Sequence, residues 1–183
     1  MANADRPKGF YPLRHLAGGV IRSNGIYTIA STYGANIFRG DAVKMASDGT
    51  LNVAAAGDTI LGVFEGCAYT DSTGAPIFSP YWPTGITATD IIAYVYDDPW
   101  IAYGIQVDGT IAATEVGTCA DIVANAGSTT TGNSGFELNS STGSGSAQCK
   151  ILGIVPDPEN SWGANVDVIV IINESFLKAT AGI

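Results

Sequence analysis

The chain has 183 residues, 46% of them hydrophobic and only 14% charged, which is ample material for a core and excludes wholesale disorder. Twenty-three glycines beside so few charges suit short strands joined by turns, not long helices with Glu, Lys and Arg on their wet faces. The net charge of −9 is uneven: residues 1–44 hold six basic against two acidic side chains (net +4), and residues 45–183 hold two against fifteen (net −13), a body that repels phosphate and excludes nucleic-acid binding by its surface.

Residues 1–24 show neither helical nor alternating periodicity, and Pro7, Gly9, Pro12, Gly18 and Gly19 break regular structure. Phe10, Tyr11, Leu13 and Leu16 are nevertheless too apolar for an idle linker. The segment reads as an extended N-terminal arm that orders against another surface, with Arg6, Lys8, Phe10, Tyr11, Arg14 and His15 as its contact residues. Fully extended, it reaches ~80 Å at ~3.3 Å per residue, against a radius of gyration of ~16 Å for a globule of this size. Folding back onto its own body is the alternative.

From residue 25 to residue 183 the pattern is that of a β-rich domain. Ile26–Ala30 is a strand candidate; Asp41–Ala46 and Leu51–Ala54 flank Asp48-Gly49, a strong local hairpin signal. Thr59–Tyr69 reads as one long strand in which Gly62 and Gly66 suggest bulges or close backbone approach. Residues 70–89 read as a long aromatic loop, with Phe78, Tyr81 and Trp82 as a possible interface. Ile91–Tyr96 and Trp100–Val107 are joined by Asp97-Asp98-Pro99, expected to be a hairpin turn, and Asp108-Gly109 turns the chain again. A short helix at most is expected within 111–126. Phe136–Leu138, Cys149–Val155 and Val166–Ile172 complete eight or more short strands, the pattern of an all-β sandwich or barrel of short antiparallel strands. Ile60–Phe64 and Ile151–Val155 echo one another, too briefly to establish a repeat.

Cys67, Cys119 and Cys149 are an odd, sparse set without metal-ligand spacing; reduced thiols and assembly in a host cytoplasm are expected. The opening residues carry no apolar signal core, and no apolar run approaches ~20 residues, so neither a secretory signal nor a membrane partner is expected.

The catalytic inventory is thin. His15 is the single histidine, and a nucleophile pair would need it rigidly oriented by a third group. Asp97 and Asp98 could in principle serve glycoside hydrolysis, but adjacent acids in a turn more often cap backbone amides. Asp157-Pro158-Glu159-Asn160 weakly suggests a calcium loop, against a solvated turn. No dinucleotide, phosphate-loop or zinc-protease motif is present. No catalytic residue, metal site or cofactor is expected, and the chain reads as a non-enzyme. Tyr81, Trp82, Trp100 and Trp162 could instead form a sugar-stacking platform, an interface or plain core.

The run Asp5-Arg6-Pro7-Lys8-Gly9-Phe10-Tyr11-Pro12-Leu13-Arg14-His15-Leu16 resembles the start of a family of capsid decoration, or cement, proteins of tailed phages. Tyr27–Ser31, Ile37–Val43, Ile60–Asp71, Ala93–Pro99, Ile151–Val155 and Val168–Asn173 are similar to the same family in the same order, over nearly the whole chain. The resemblance implies a virion protein on the outer capsid surface, often trimeric, whose partners are the major capsid protein and itself. It carries over no catalytic motif and no mapped binding residues. The competing classes are another virion part, such as a tail-tube or head-fibre subunit, and a virion-displayed carbohydrate-binding module.

Overall fold

A computed structural model describes residues 3–178, and almost all their regular structure is β. The strands in chain order are β1 (Tyr11–His15), β2 (Asn24–Tyr27), β3 (Ile37–Phe38), β4 (Ala42–Met45), β5 (Leu51–Val53) and β6 (Gly62–Thr70). Then come β7 (Pro76–Ser79), β8 (Tyr81–Trp82), β9 (Thr89–Tyr96), β10 (Ile101–Gln106), β11 (Thr110–Ile111) and β12 (Cys119–Ala120). The last are β13 (Ile122–Val123), β14 (Glu137–Leu138), β15 (Cys149–Ile154), β16 (Gly163–Ala164) and β17 (Asp167–Ile172). The short helix expected within 111–126 is a single 3-10 turn, Ala113–Glu115, ended at Gly117 by a positive φ of 94°.

The fold is an all-β, sandwich-like domain. Its first sheet runs β1-β10-β17-β15-β12 and its second β2-β9-β6-β4-β5, with β7 also paired to β6; every one of these pairings is antiparallel. The period-2 pattern of β17 sends Val168, Val170 and Ile172 into one core, where Ile101, Tyr103 and Ile105 of β10 and Cys149 and Ile151 of β15 join them. Ala42 and Val63 of the second sheet close this core from the other side. The second sheet buries its opposite face as well: Val43, Phe64, Cys67 and Val95 pack with Ile37 and Trp82, carried by the β3–β8 pair. Ala42 and Val43 of β4, and Val63 and Phe64 of β6, therefore serve different cores, which is why each pair is apolar without alternation.

Three expectations are corrected. Residues 3–24 are not an arm projecting from the body. β1 is the edge strand of the first sheet, with Tyr11 opposite Gly104 and His15 opposite Ile101. Phe10 is 3% exposed and sits in the core. Burying that ring is worth roughly 2–3 kcal/mol, so a back-fold beats a solvated arm. Residues 1–2 lie outside the described residues.

Asp97-Asp98-Pro99 does not close a hairpin. Both edges of β9 are already taken, by β2 and β6, so the chain leaves for the other sheet and the segment is a corner between sheets. Residues 70–89 are not an irregular loop: the chain reverses over Asp71–Ala75, where the Asp71 N–H donates to the Ala75 carbonyl, and β7 returns along β6. The Asp48-Gly49 hairpin between β4 and β5 forms as the local signal implies.

Candidate docking surface

The residues singled out from sequence divide sharply by burial. Among Arg6, Lys8, Phe10, Tyr11, Arg14 and His15, the cations Arg6, Lys8 and Arg14 are exposed, and Phe10 is turned inward. Tyr11 lies half-buried across Gly104, where any side chain would strike its ring. Its hydroxyl donates to Asp167 Oδ2 at 3.4 Å, and burial first, then the neighbouring Asp167 charge, push the phenol far above its ordinary range. Lys8 Nζ stands 4.0 Å above the Tyr11 ring, a cation–π contact.

His15 is a structural staple. Its Nδ1 accepts the N–H groups of Ala17 at 3.1 Å and Gly19 at 2.9 Å, so the proton resides on Nε2, which donates to Asp98 Oδ2 at 2.9 Å. Burial works against the Asp98 charge, but the Trp100 N–H and the His15 ring together hold its carboxyl below the usual range. Asp97 is spent in the same corner, accepting from Asn24 Nδ2 at 2.6 Å and Tyr27 Oη at 2.7 Å. Asp98 caps the Trp100 N–H at 2.9 Å, whereas Asp97 ties two side chains of β2 to the corner. In the 157–160 turn, Asp157 Oδ1 accepts the Glu159 N–H at 2.8 Å, and Asn160 Nδ2 donates to the Val155 and Asp167 carbonyls. Among the described residues no group of three or more His, Cys, Asp or Glu side chains is placed to hold a metal ion.

The aromatic trio separates in the same way. Trp82 is fully buried, so its expected interface role is corrected: its ring meets Tyr69 edge-on at 5.3 Å inside the second core. Tyr81 is half-buried and stacked on Phe38 at 5.5 Å. Phe78 alone is open, at 75% exposure, and its ring lies 5.8 Å from that of Tyr94. Trp100 is half exposed, but it lies under Lys178, whose Nζ is 4.7 Å from the ring; no sugar-stacking platform of Tyr81, Trp82 and Trp100 is assembled.

What the sheet builds around Phe78 is an apolar face. Opposite residues in antiparallel strands share a side. Val63 and Tyr96, paired across β6 and β9, face the first sheet and pack into the first core. Past a register shift between Phe64 and Gly66, the same side presents Gly66 opposite Tyr94, Ala68 opposite Ile92, and Phe78 opposite Ala68. Among the described residues nothing covers it here: Ile92 is 40% exposed, and the bulged edge strand β2 adds Ile26, exposed at 79%. Gly25 abuts the Tyr94 ring, and the Ser79 carbonyl abuts Gly66. The second sheet thus overhangs the sandwich with an unpaired apolar side.

At the sandwich end of this overhang, Arg39 Nη2 pairs with Glu65 Oε1 at 2.8 Å. The Arg39 backbone is pinned by its N–H donating to the Gly132 carbonyl at 3.0 Å and its own carbonyl accepting the Ser134 N–H at 2.9 Å. The pair lines two adjoining grooves, one with Phe78, Pro80 and Tyr94, the other with Lys8, Tyr11 and Pro12. The fold therefore joins two surfaces read separately from sequence, the N-terminal segment and the Phe78 region. Arg39, Glu65, Ile92 and Tyr94 were missed. For Ile92 and Tyr94 the signal was the Ile91–Tyr96 run, apolar on both sides of its alternation, which means two buried faces or one face kept for a partner; Arg39 and Glu65 had none. Comparison with protein-family models, with curated proteins and with solved structures finds no match.

Proposed function

We propose that the chain is a non-enzymatic structural protein of a tailed-phage virion, a decoration protein that binds the outer capsid surface and stabilises it by bridging major capsid subunits. The observation that carries this reading is the basic surface beside β1, where Arg6, Lys8 and Arg14 stand exposed on a chain that is otherwise acidic, a surface suited to an acidic partner. The ordered resemblance of short motifs along the chain supplies the kind of partner. A cement protein works in many copies, so each contact can be weak and avidity does the rest. The acidic composition beyond residue 44 keeps coated particles apart.

The N-terminal segment contributes through what it leaves outside: Arg6, Lys8 and Arg14 are the side chains free to meet the shell, while Phe10 and His15 hold the segment in place. The test is co-sedimentation of purified chain with capsids lacking it. Wild type should pellet with the particle, and the Arg6→Glu, Lys8→Glu, Arg14→Glu triple variant should stay in the supernatant. Wild-type protein that never pellets with capsids would sink the reading; unchanged binding of the triple variant would remove these three residues from the contact.

A carbohydrate-binding reading rests on a different pair from the one read in the sequence, the adjacent rings of Phe78 and Tyr94. Glycan-array binding that is lost in Phe78→Ala would favour it over a capsid contact.

A further inference from the structure

The overhang carries an exposed cation at one end and only acids at the other. At the sandwich end stands Arg39, whose side chain is 54% exposed and pairs with Glu65; Lys8 lies in the adjoining groove, over Tyr11 and near Asp167. At the far tip, Asp71 follows β6 and the exposed Asp90 lies in β9 next to Thr89, the partner of Thr70. No basic residue occurs between positions 45 and 149, so β6, β7 and β9 bring only acids to that tip. From Gly66 to Thr70 the two ends are separated by about 13 Å of strand.

We propose that a second copy of the chain covers this face, packed side to side about a twofold axis with the two β6 strands antiparallel. In that arrangement the acidic tip of each copy lies over the Arg39 end of the other, and both charge contacts form at once. Phe78 of each copy meets the low ground around the other's Ala68 and Ile92. Running the strands in the same direction would set acid on acid. A threefold ring needs two different surfaces on each subunit, whereas here both charge ends lie on one surface, the condition for an isologous pair.

Size sets the strength. Phe78, Ile26 and Ile92 at 75%, 79% and 40% exposure offer roughly 300–400 Å² of apolar surface, below the ~800 Å² per partner of a standard stable interface. The pair is therefore reversible in solution and fills when copies are crowded together. It does not depend on what the chain coats.

Sedimentation velocity on the full chain, from about 1 μM to about 1 mM, tests this. Wild type should pass from monomer to dimer across the range. Phe78→Glu, or the milder Phe78→Ser if the first melts early, should weaken the dimer at least tenfold with an unchanged thermal transition. Arg39→Glu and Asp90→Lys should each weaken it, and the two together should recover most of the loss by reversing both ends. A monomer at every concentration, a trimer, or a dimer indifferent to these substitutions overturns the proposal. So does a monomer whose Phe78→Glu form stops binding capsids, which would assign the face to the shell. Capsid binding that fails while the dimer behaves as described would instead overturn only the decoration reading.

Discussion

The Phe10 ring stands edge-on to the ring of Tyr103, centroids 5.9 Å apart and planes at 84°, in a core where Tyr103 is fully buried. Tyr103 is itself anchored, its hydroxyl donating to the Tyr96 carbonyl of the second sheet at 3.1 Å. A residue of the N-terminal segment thus fills the space between the sheets, and the segment's backbone is tied in beside it, the Phe10 N–H donating to the Gly40 carbonyl at 2.9 Å. The N-terminal segment, read from sequence as an extended arm, is part of the sandwich.

Phe10→Ala should therefore lower the unfolding free energy by about 3–5 kcal/mol, the range for deleting a buried aromatic ring. Removal of residues 1–24 should leave no cooperative thermal transition at all. Denaturant melts of the two proteins check this, and a truncated chain with a wild-type transition would return the segment to the status of an arm.

Asp41 gives the stability an unusual pH dependence. It is 2% exposed, its Oδ1 meets no partner at hydrogen-bonding geometry, and burial raises its carboxyl from 3.8 to about 6, offset in part by Ser134 and by the Phe38 N–H, which donates to Oδ2 at 2.8 Å. The folded chain thus holds this proton more tightly than the unfolded chain does. The contribution is present in full below about pH 4, falls as pH rises through about 6, and is then gone, a span worth on the order of 2–3 kcal/mol. Asp41→Asn should be more stable than wild type at pH 7 and nearly equal to it at pH 4. Other carboxyls, such as Asp58 and Asp98, shift the opposite way, so the measurement is the difference between the two proteins across pH; a constant difference would refute the assignment.

Gln148 is the buried polar knot of the first core. Fully buried, its Nε2 donates to the carbonyls of Ala55 at 2.8 Å and Asp58 at 2.7 Å, while its Oε1 accepts the Ile122 N–H at 3.0 Å. Gln148→Leu keeps the volume but strands three backbone groups, at about 1–3 kcal/mol for each one left unpaired. A loss of roughly 3 kcal/mol is expected in urea melts, with faster hydrogen exchange at the Ile122 amide. Gln148→Glu, which keeps one acceptor, should not restore it.

The thiols should react in a fixed order. Cys67 is buried and burial pushes its thiol up to about 12; Cys149 is wholly buried and raised further by the same cause, while Cys119 is half-buried. Thiolate is the attacking species. Iodoacetamide at pH 8 should label Cys119 first in the native chain and all three only in denaturant, read by mass spectrometry. Native labelling of Cys149 at a comparable rate would contradict the burial.

The sequence determined the fold class, because period-2 apolar runs, abundant glycine and sparse charge leave a strand-and-turn protein no other way to bury its core. It also determined the β4–β5 hairpin, since an Asp-Gly turn between short runs is decided by local backbone preference. Tertiary structure decided everything that turns on which face is covered. Phe10 and Trp82 read as interface aromatics and are core, because a ring's fate depends on the sheet that closes over it, not on its neighbours in the chain. Asp97-Asp98 reads as a hairpin and is a corner, because both edges of β9 find partners elsewhere. The candidate docking surface was legible only in fragments: β6, β7 and β9 had to pair before Phe78, Tyr94 and Gly66 shared a side, and the first sheet had to stop short for that side to stay bare. Local patterns choose strands; only long-range pairing chooses which of their faces meets water.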